Sequence, residues 1–450
     1  MNAAAGASAP SVSLEMDDIQ SGALHHRPRP YVGGFLFLRV DDRHAGRAVL
    51  RRLLPAVAGG LPGADPLRDV WVAVAVTYQG LRALGVSQES LDSFPLEFRQ
   101  GMAARADVLG DVGESAPAQW EHPFGTGDVH IGLSVLSPDA AHLEKALERA
   151  RTAYRETSGV EVIWTQEVSQ LPTGRTSFGF RDGISYPGIE GTGIPGSNPQ
   201  EPPLKAGEFI LGYPDETGNL PPMPQPDVLG RNGTYMALRK LHTKVAAWRQ
   251  FLRANASSPE QEALLGAKMI GRWPSGAPIT LSPDQDDPAL GEDLSRNNDF
   301  LYRDDDDRGF KCPAGAHIRR VNPRDATIIG VARLHRIIRR GTSYGPPLPE
   351  GVLEDDGADR GLVGAFIGAH LGRQFEFIKS EWVEDGNFIG YSGEKDPVAG
   401  HHDRTGTVTI PKKPVRRRLQ NLPNFVVTRG GEYFFIPGIR ALRWLSELEN

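Results

Sequence analysis

Cysteine is nearly absent: Cys312 is the only one, so the chain can form neither an internal disulfide nor a cysteine-rich metal site. Long apolar runs are missing too. None approaches the about 18 residues a membrane-spanning helix needs, so no membrane partner is expected. Positive charge is not in excess, the formal net charge being -6. Without a concentrated cationic face a general role in nucleic-acid binding is excluded. The compact basic cluster PVRRRL at 414–419 reads as solvated surface, or as a neighbour of a bound carboxylate. The opening MNAAAGASAP has no basic segment, twin arginine or apolar core. It does not read as a secretion signal, and a cytoplasmic location is expected.

What is present suits a globular protein: 39% hydrophobic and 24% charged residues in a chain of 450, room for two or three domain-sized units. Residues 1–28 are small and polar and are expected to be mobile. Branched and aromatic residues predict strands at 31–40, 70–77, 129–136 and 160–165. Helical spacing predicts helices at 45–54 and 78–85, and a third that Ser137-Pro138-Asp139 opens. That order is ferredoxin-like α+β. A Gly/Pro-rich stretch follows at 171–233, and long loops of that chemistry are usually functional. From 234 the pattern restarts, with a strand at 234–240 and a helix at 241–255. Residues 326–340 alternate like a strand, Arg333, His335, Ile337 and Arg339 sharing parity. A strand at 361–368 and a helix at 374–384 complete it. The division expected is 29–230 and 231–450. The four aspartates at 304–307 are expected to form a solvated loop rather than a calcium site, which would want glycine and spaced carboxylates.

The stretch CPAGAHIRRVNPRD at 312–325 carries the most chemistry. Small residues let the backbone come close to something flat, His317 supplies one imidazole, and Arg319, Arg320 and Arg324 supply guanidinium groups. An imidazole for iron and cations for carboxylates is a set that suits haem. Cys312 is the alternative iron ligand in the same stretch; a buried, inert thiol is the plainer reading of it.

This stretch resembles the proximal-histidine segment of the dye-decolourising haem peroxidases. GFRDG at 179–183 resembles their G-x-x-D-G motif, and RIIRRG at 336–341 the segment that bears their distal arginine. Alone, the first is a common turn. Together, with Asp182, His317 and Arg339 spaced 135 and then 22 residues apart, the three motifs are specific. GRWPSG at 271–276 is also family-like, whereas DIQSG at 18–22 departs from the family's usual Asp-Ile-Gln-Gly.

The resemblance implies two ferredoxin-like units in a dimeric α+β barrel type of fold, with one haem b per chain in the second, and leaves an oligomer open. It implies that His317 ligates the iron, that Asp182 moves a proton between peroxide oxygens, and that Arg339 stabilises charge as the O–O bond breaks. Hydrogen peroxide and small aromatic reductants would be the partners. A carboxylate is expected behind His317; Glu376 is the candidate, with Asp325 and Glu381 as alternatives. Arg319, Arg320 and Arg324 are candidates for the haem propionates or, equally, for buried structural pairing. His335 could be a distal base, but the matched Asp182 argues against that and favours a propionate contact or a packed histidine. A surface radical site among the seven tryptophans and ten tyrosines would serve bulky dyes, without Trp382 or any other being singled out. The rival readings are a haem-delivery protein and an iron-releasing enzyme of the same fold.

Overall fold

The computed structural model describes residues 13–57, 59–60, 70–155, 157–326 and 331–449. The aromatic and branched run at the start becomes β1 (Val32–Val40), buried along nearly all its length. Asp42 then accepts a hydrogen bond from Ala45 N and starts the helix Arg43–Leu53, which buries Val49, Leu50 and Leu53. After β2 (Trp71–Val76) and β3 (Ile131–Ser137), Asp139 caps the helix Ala140–Tyr154 in the same way, and β4 (Val160–Ser169) ends the first half. The second half contains β5 (Thr234–Thr243), β6 (Ile338–Tyr344), β7 (Gly361–Gly368), the small ribbon of β8 (Gly406–Ile410) and β9 (Arg417–Leu422), and β10 (Val426–Ile436).

Eight strands form one sheet in the order β4-β1-β3-β2-β10-β5-β7-β6. Each half repeats one pattern: its last strand, its first, its third, its second. That is the ferredoxin-like order, and the α+β barrel expected from the sequence is what forms. The edge strands β4 and β6 lie against each other, so the sheet curls around an apolar interior that includes Phe35, Phe37, Trp164, Met236 and Phe434. Alternation along the strands then decides what faces outward. Leu238, Ala365 and Ile367 point into the barrel, while Arg239, Leu241, Leu362 and Phe366 line a cavity on its outer side.

Several expectations need correction. Residues 13–28 are not a mobile lead-in: Ile19 and Leu24 are buried, and Gln20 Nε2 donates to Val74 O and Pro437 O at 2.8 Å. Residues 1–12 lie outside the described residues. Residues 326–340 are not one strand: Ala332–His335 is a tight helical turn and β6 begins only at Ile338. The turn breaks the parity between His335 and Arg339, and 327–330 lie outside the described residues. β5 runs on to Thr243 before its helix, Val245–Ala254. The helix at 374–384 exists but begins earlier and is wide, with i→i+5 turns at Leu371–Glu376 and Ile378–Glu384. Among the aspartates at 304–307, Asp306 is buried and accepts from Lys311 N and Cys312 N, so its carboxylate orders the approach to His317.

Candidate active site

A cavity of about 330 Å³ lies between the outer face of β5, β6, β7 and β10 and the segments packed over it. Its walls are largely apolar, with Ile270, Ile318, Phe366, Phe375, Val383 and Val398 among them. His317, Asp182 and Arg339 all line it, so three motifs far apart in the chain meet in one place. Arg324 lines it as well. Arg340, the residue after Arg339, points into the barrel and donates to Leu24 O at 3.0 Å.

His317 opens the helical turn His317–Val321, and its side chain stays 27% exposed. Its Nδ1 lies 2.9 Å from Asp396 Oδ2. This leaves Nε2 as the ring atom not engaged by Asp396. Asp396 is fully buried, and its other oxygen accepts from Val398 N and Ala399 N at 2.9 Å. Burial alone would raise its pKa, but the His317 ring, the Ala399 N–H and the Arg320 charge hold it at about 2. The carboxylate is therefore a fixed negative charge behind the imidazole.

That arrangement corrects the choice of Glu376. Glu376 accepts from Arg105 Nε and Nη2 at 2.9 and 2.6 Å and from the Tyr433 hydroxyl at 2.8 Å, and does not bond His317. Asp325 accepts instead from Tyr302 N at 2.8 Å, and Glu381 is exposed. Asp396 escaped notice because nothing local marks it. It stands 79 residues beyond His317 in a turn.

The other candidates separate cleanly. Arg319 bonds Asp306 and Cys312 O, and Arg320 bonds Trp382 O at 2.9 Å and Glu394 O; both are buried away from the cavity. They hold the loop that presents His317. His335 also faces away, its Nδ1 donating to Arg373 O at 2.6 Å and its ring stacked 3.7 Å from Phe377. Cys312 is buried, which pushes its thiol up to about 11, and it does not line the cavity. Trp382 is buried, edge-on to Phe377, so it offers no surface. The cluster at 416–418 is exposed on β9, outside the cavity.

Several cations of the cavity were not anticipated, Arg272 among them. Arg272, within the GRWPSG stretch, donates to Gly276 O and Asn297 O at 2.8 Å and to Asn298 Oδ1 at 2.7 Å. Arg324 shares that Asn298 oxygen at 3.1 Å. Burial, then the charges of Arg324 and Arg339, push Arg272 down to about 9. These guanidinium groups bond neutral oxygens, so the cavity carries positive charge that a dianionic ligand would offset.

On the other side, Asp182 lies over β6, where a Cβ on Gly341 would meet its Oδ2 at 3.0 Å. Glycine at 341 thus leaves room for that carboxylate. Arg339 reaches toward Ser185 O at 3.5 Å, and burial, partly offset by the Asp182 charge, lowers its pKa. Among the described residues, no group of three or more His, Cys, Asp or Glu side chains could hold a bare metal ion. An iron at His317 would need its other ligands from a porphyrin. The His317 Nε2 left open by Asp396, the apolar walls and the arginines bonded to neutral oxygens fit haem and its two propionates.

Comparison with known proteins points the same way. The sequence profile of the DyP dimeric alpha+beta barrel domain matches residues 18–165. A dye-decolorizing peroxidase of Mycena epipterygia is 31% identical, the match covering 96% of this chain and 86% of that one. A multifunctional dye peroxidase of an Amycolatopsis species is 30% identical over 83% of this chain and 82% of its own. The crystal structure of a DyP-type peroxidase from Auricularia auricula-judae superposes with a TM-score of 0.83 at 29% identity, covering 97% of this chain and 100% of the other. A dye-decolorizing peroxidase in complex with 2,6-dimethoxyphenol gives 0.82 at 28% identity, covering 96% and 100%.

Proposed function

The chain belongs to the dye-decolorizing peroxidase family, and from that membership we propose that it reduces hydrogen peroxide with a bound haem and takes electrons singly from dyes, phenols or other bulky aromatic compounds. The observation that carries the assignment to this cavity is the pair His317–Asp396 sharing its lining with Asp182 and Arg339. One haem b per chain is part of the proposal: His317 Nε2 would ligate its iron, and Arg272 and Arg324 would offset the charge of its propionates. A cytoplasmic site of action is also proposed. The single cysteine fits a reducing compartment, and no helix of the described residues is long and apolar enough to cross a membrane.

When bound, haem supplies a redox-active iron and a conjugated ring, the electron store that the side chains lack. The residues do the rest. Asp396 fixes the imidazole through Nδ1 and, as an anion, makes the ring a stronger electron donor. Asp182 Oδ2 takes the proton of the nearer peroxide oxygen and returns it to the leaving one, so that water departs. Arg339 stays cationic throughout and stabilises the charge developing on the leaving oxygen.

The test is stopped-flow mixing of haem-loaded protein with one equivalent of peroxide, comparing parent, Asp182→Ala and Arg339→Leu. The resting Soret band of the parent should collapse within the first phase. Removing the proton-transfer group should slow that phase by about 10²–10⁴-fold, and removing the cation by about 10²–10³-fold. A Soret band indifferent to peroxide in the parent would leave a haem carrier; failure to take up haem would overturn both readings.

A further inference from the structure

Asp182 and Arg181 belong to two cavities. Behind the first lies a second of about 310 Å³, and the two share Thr176, Arg181 and Asp182 as a common wall. Four arginines line the second, Arg27, Arg29, Arg175 and Arg181, against two acids, Asp182 and Glu292. Their donors are turned mostly to backbone oxygens, which neutralise no charge. Arg27 Nε donates to Gly341 O at 2.8 Å, Arg29 Nη2 to Asp182 O at 3.0 Å, and Arg181 Nη1 to Gly291 O at 2.8 Å. The one ion pair, Arg27 Nη2 to Asp182 Oδ2, is long at 3.7 Å. Among the described residues neither Arg175 nor Arg181 forms an ion pair.

Some arginines elsewhere in the molecule are treated differently. Arg239 is buried against Asp111, and Arg373 meets both Glu208 and Asp215, a carboxylate answering the guanidinium in each case. In the second cavity the arginines crowd one another instead: burial first, and then the charges of Arg27 and Arg181, depress the pKa of Arg29. The Arg27 guanidinium lies over the Tyr31 ring, 4.4 Å from its centroid, which fixes both side chains in the wall.

We propose that the second cavity is a docking subsite for a carboxylated phenol, its carboxylate bound by Arg175 and its hydroxyl directed to Asp182. The proposal rests on the peroxidase reading and adds a substrate class to it. Arg175 is exposed and has no ion pair among the described residues, and Asp182 belongs to the shared wall of the same space, so charge recognition and proton acceptance fall to different residues of one lining. In the step itself the phenol O–H bond breaks. Its proton passes to the Asp182 carboxylate, and its electron to the cofactor that peroxide has oxidised. Two phenols are consumed per peroxide, giving two phenoxyl radicals and two waters.

The test uses haem-loaded full-length enzyme, saturating peroxide, and two reductants: hydroxyphenylpropanoate and its methyl ester, whose saturated carbons insulate the ring from the change of charge. At low salt the parent should favour the acid by about tenfold in kcat/KM, the factor that 1.4 kcal/mol of binding provides. Arg175→Glu should abolish that preference through KM while the ester changes less than about twofold; Arg175→Lys should keep most of it, and high salt should erode it. Equal use of acid and ester by the parent, or equal losses for both in Arg175→Glu, overturns the subsite. The Soret response to peroxide, read on the same samples, separates the two readings. A normal response with no charge preference removes the subsite and leaves the peroxidase, whereas no response removes both.

Discussion

A histidine that holds iron through one nitrogen presents the N–H of the other, and the group accepting it sets how electron-rich the ring is. In the proposed site that group is Asp396, sealed from solvent and kept ionised by the His317 ring and by its backbone hydrogen bonds. Asp396→Asn preserves the shape and removes the charge. Because Val398 N and Ala399 N still have an oxygen to bond, the turn should stay folded and haem should still be taken up. The expected losses are electronic: a more positive reduction potential and peroxide turnover lower by about 10–100-fold. Spectroelectrochemical titration beside steady-state assays checks this, and an unchanged potential would demote Asp396 to a positional role. That His317 lines the cavity fits its local signals, small residues before it and arginines after it. The carboxylate behind it was not legible in that way, since only the folded chain brings position 396 to position 317.

At the scale of elements, alternation told true where a strand was real and misled where it was not. On β6 the period of two sends Arg339 to the cavity and Arg340 into the barrel, so a single residue's error would have exchanged a catalytic candidate for a core one. The same rule carried back to His335 failed, because the turn Ala332–His335 resets the direction of the side chains. The wide helix Leu371–Glu384 is a second case: its sequence announces a helix, but only packing chooses i→i+5 turns, which aim Phe375 and Ile378 at the cavity while Glu376 turns to Arg105 and Tyr433. Glu376 therefore ties this helix to β10 and to the first half of the chain. Glu376→Gln should cost about 3 kcal/mol of stability, since it leaves a half-buried guanidinium without its counter-charge. It should leave the rate of the peroxide-induced Soret change within about twofold. A shift in the haem reduction potential comparable to that of Asp396→Asn would mean that the two carboxylates share one task.

For the whole molecule, the ferredoxin-like order of the first half was readable from strands and helices in sequence, and the restart at 234 was visible too. The joining of both halves into one sheet was not, because nothing local specifies that β2 lies beside β10. We propose a division of the chain near 230, yet the two units share a core in which Phe37 packs on Phe434 at 5.5 Å. Glu432 sits within that joint, on β10, and offsets none of its burial with an ion pair among the described residues; its Oε1 accepts only from Gly125 N at 2.8 Å. Burial raises its pKa from 4.5 to about 7, with the Gly125 N–H opposing. A carboxyl that binds its proton more tightly when folded contributes stability below pH 4.5, and loses that contribution as pH climbs through 7. The loss is on the order of 3 kcal/mol. Glu208, raised likewise by burial to about 7, titrates in the same window, so the parent's curve alone cannot isolate either group. The difference between the parent and Glu432→Gln can. The amide that replaces the carboxyl keeps an oxygen for Gly125 N and never ionises. The two proteins should melt together at pH 4, part progressively above it, and hold a constant gap in favour of the variant beyond pH 8. A gap that is already present at pH 4 would trace the effect to packing instead of charge.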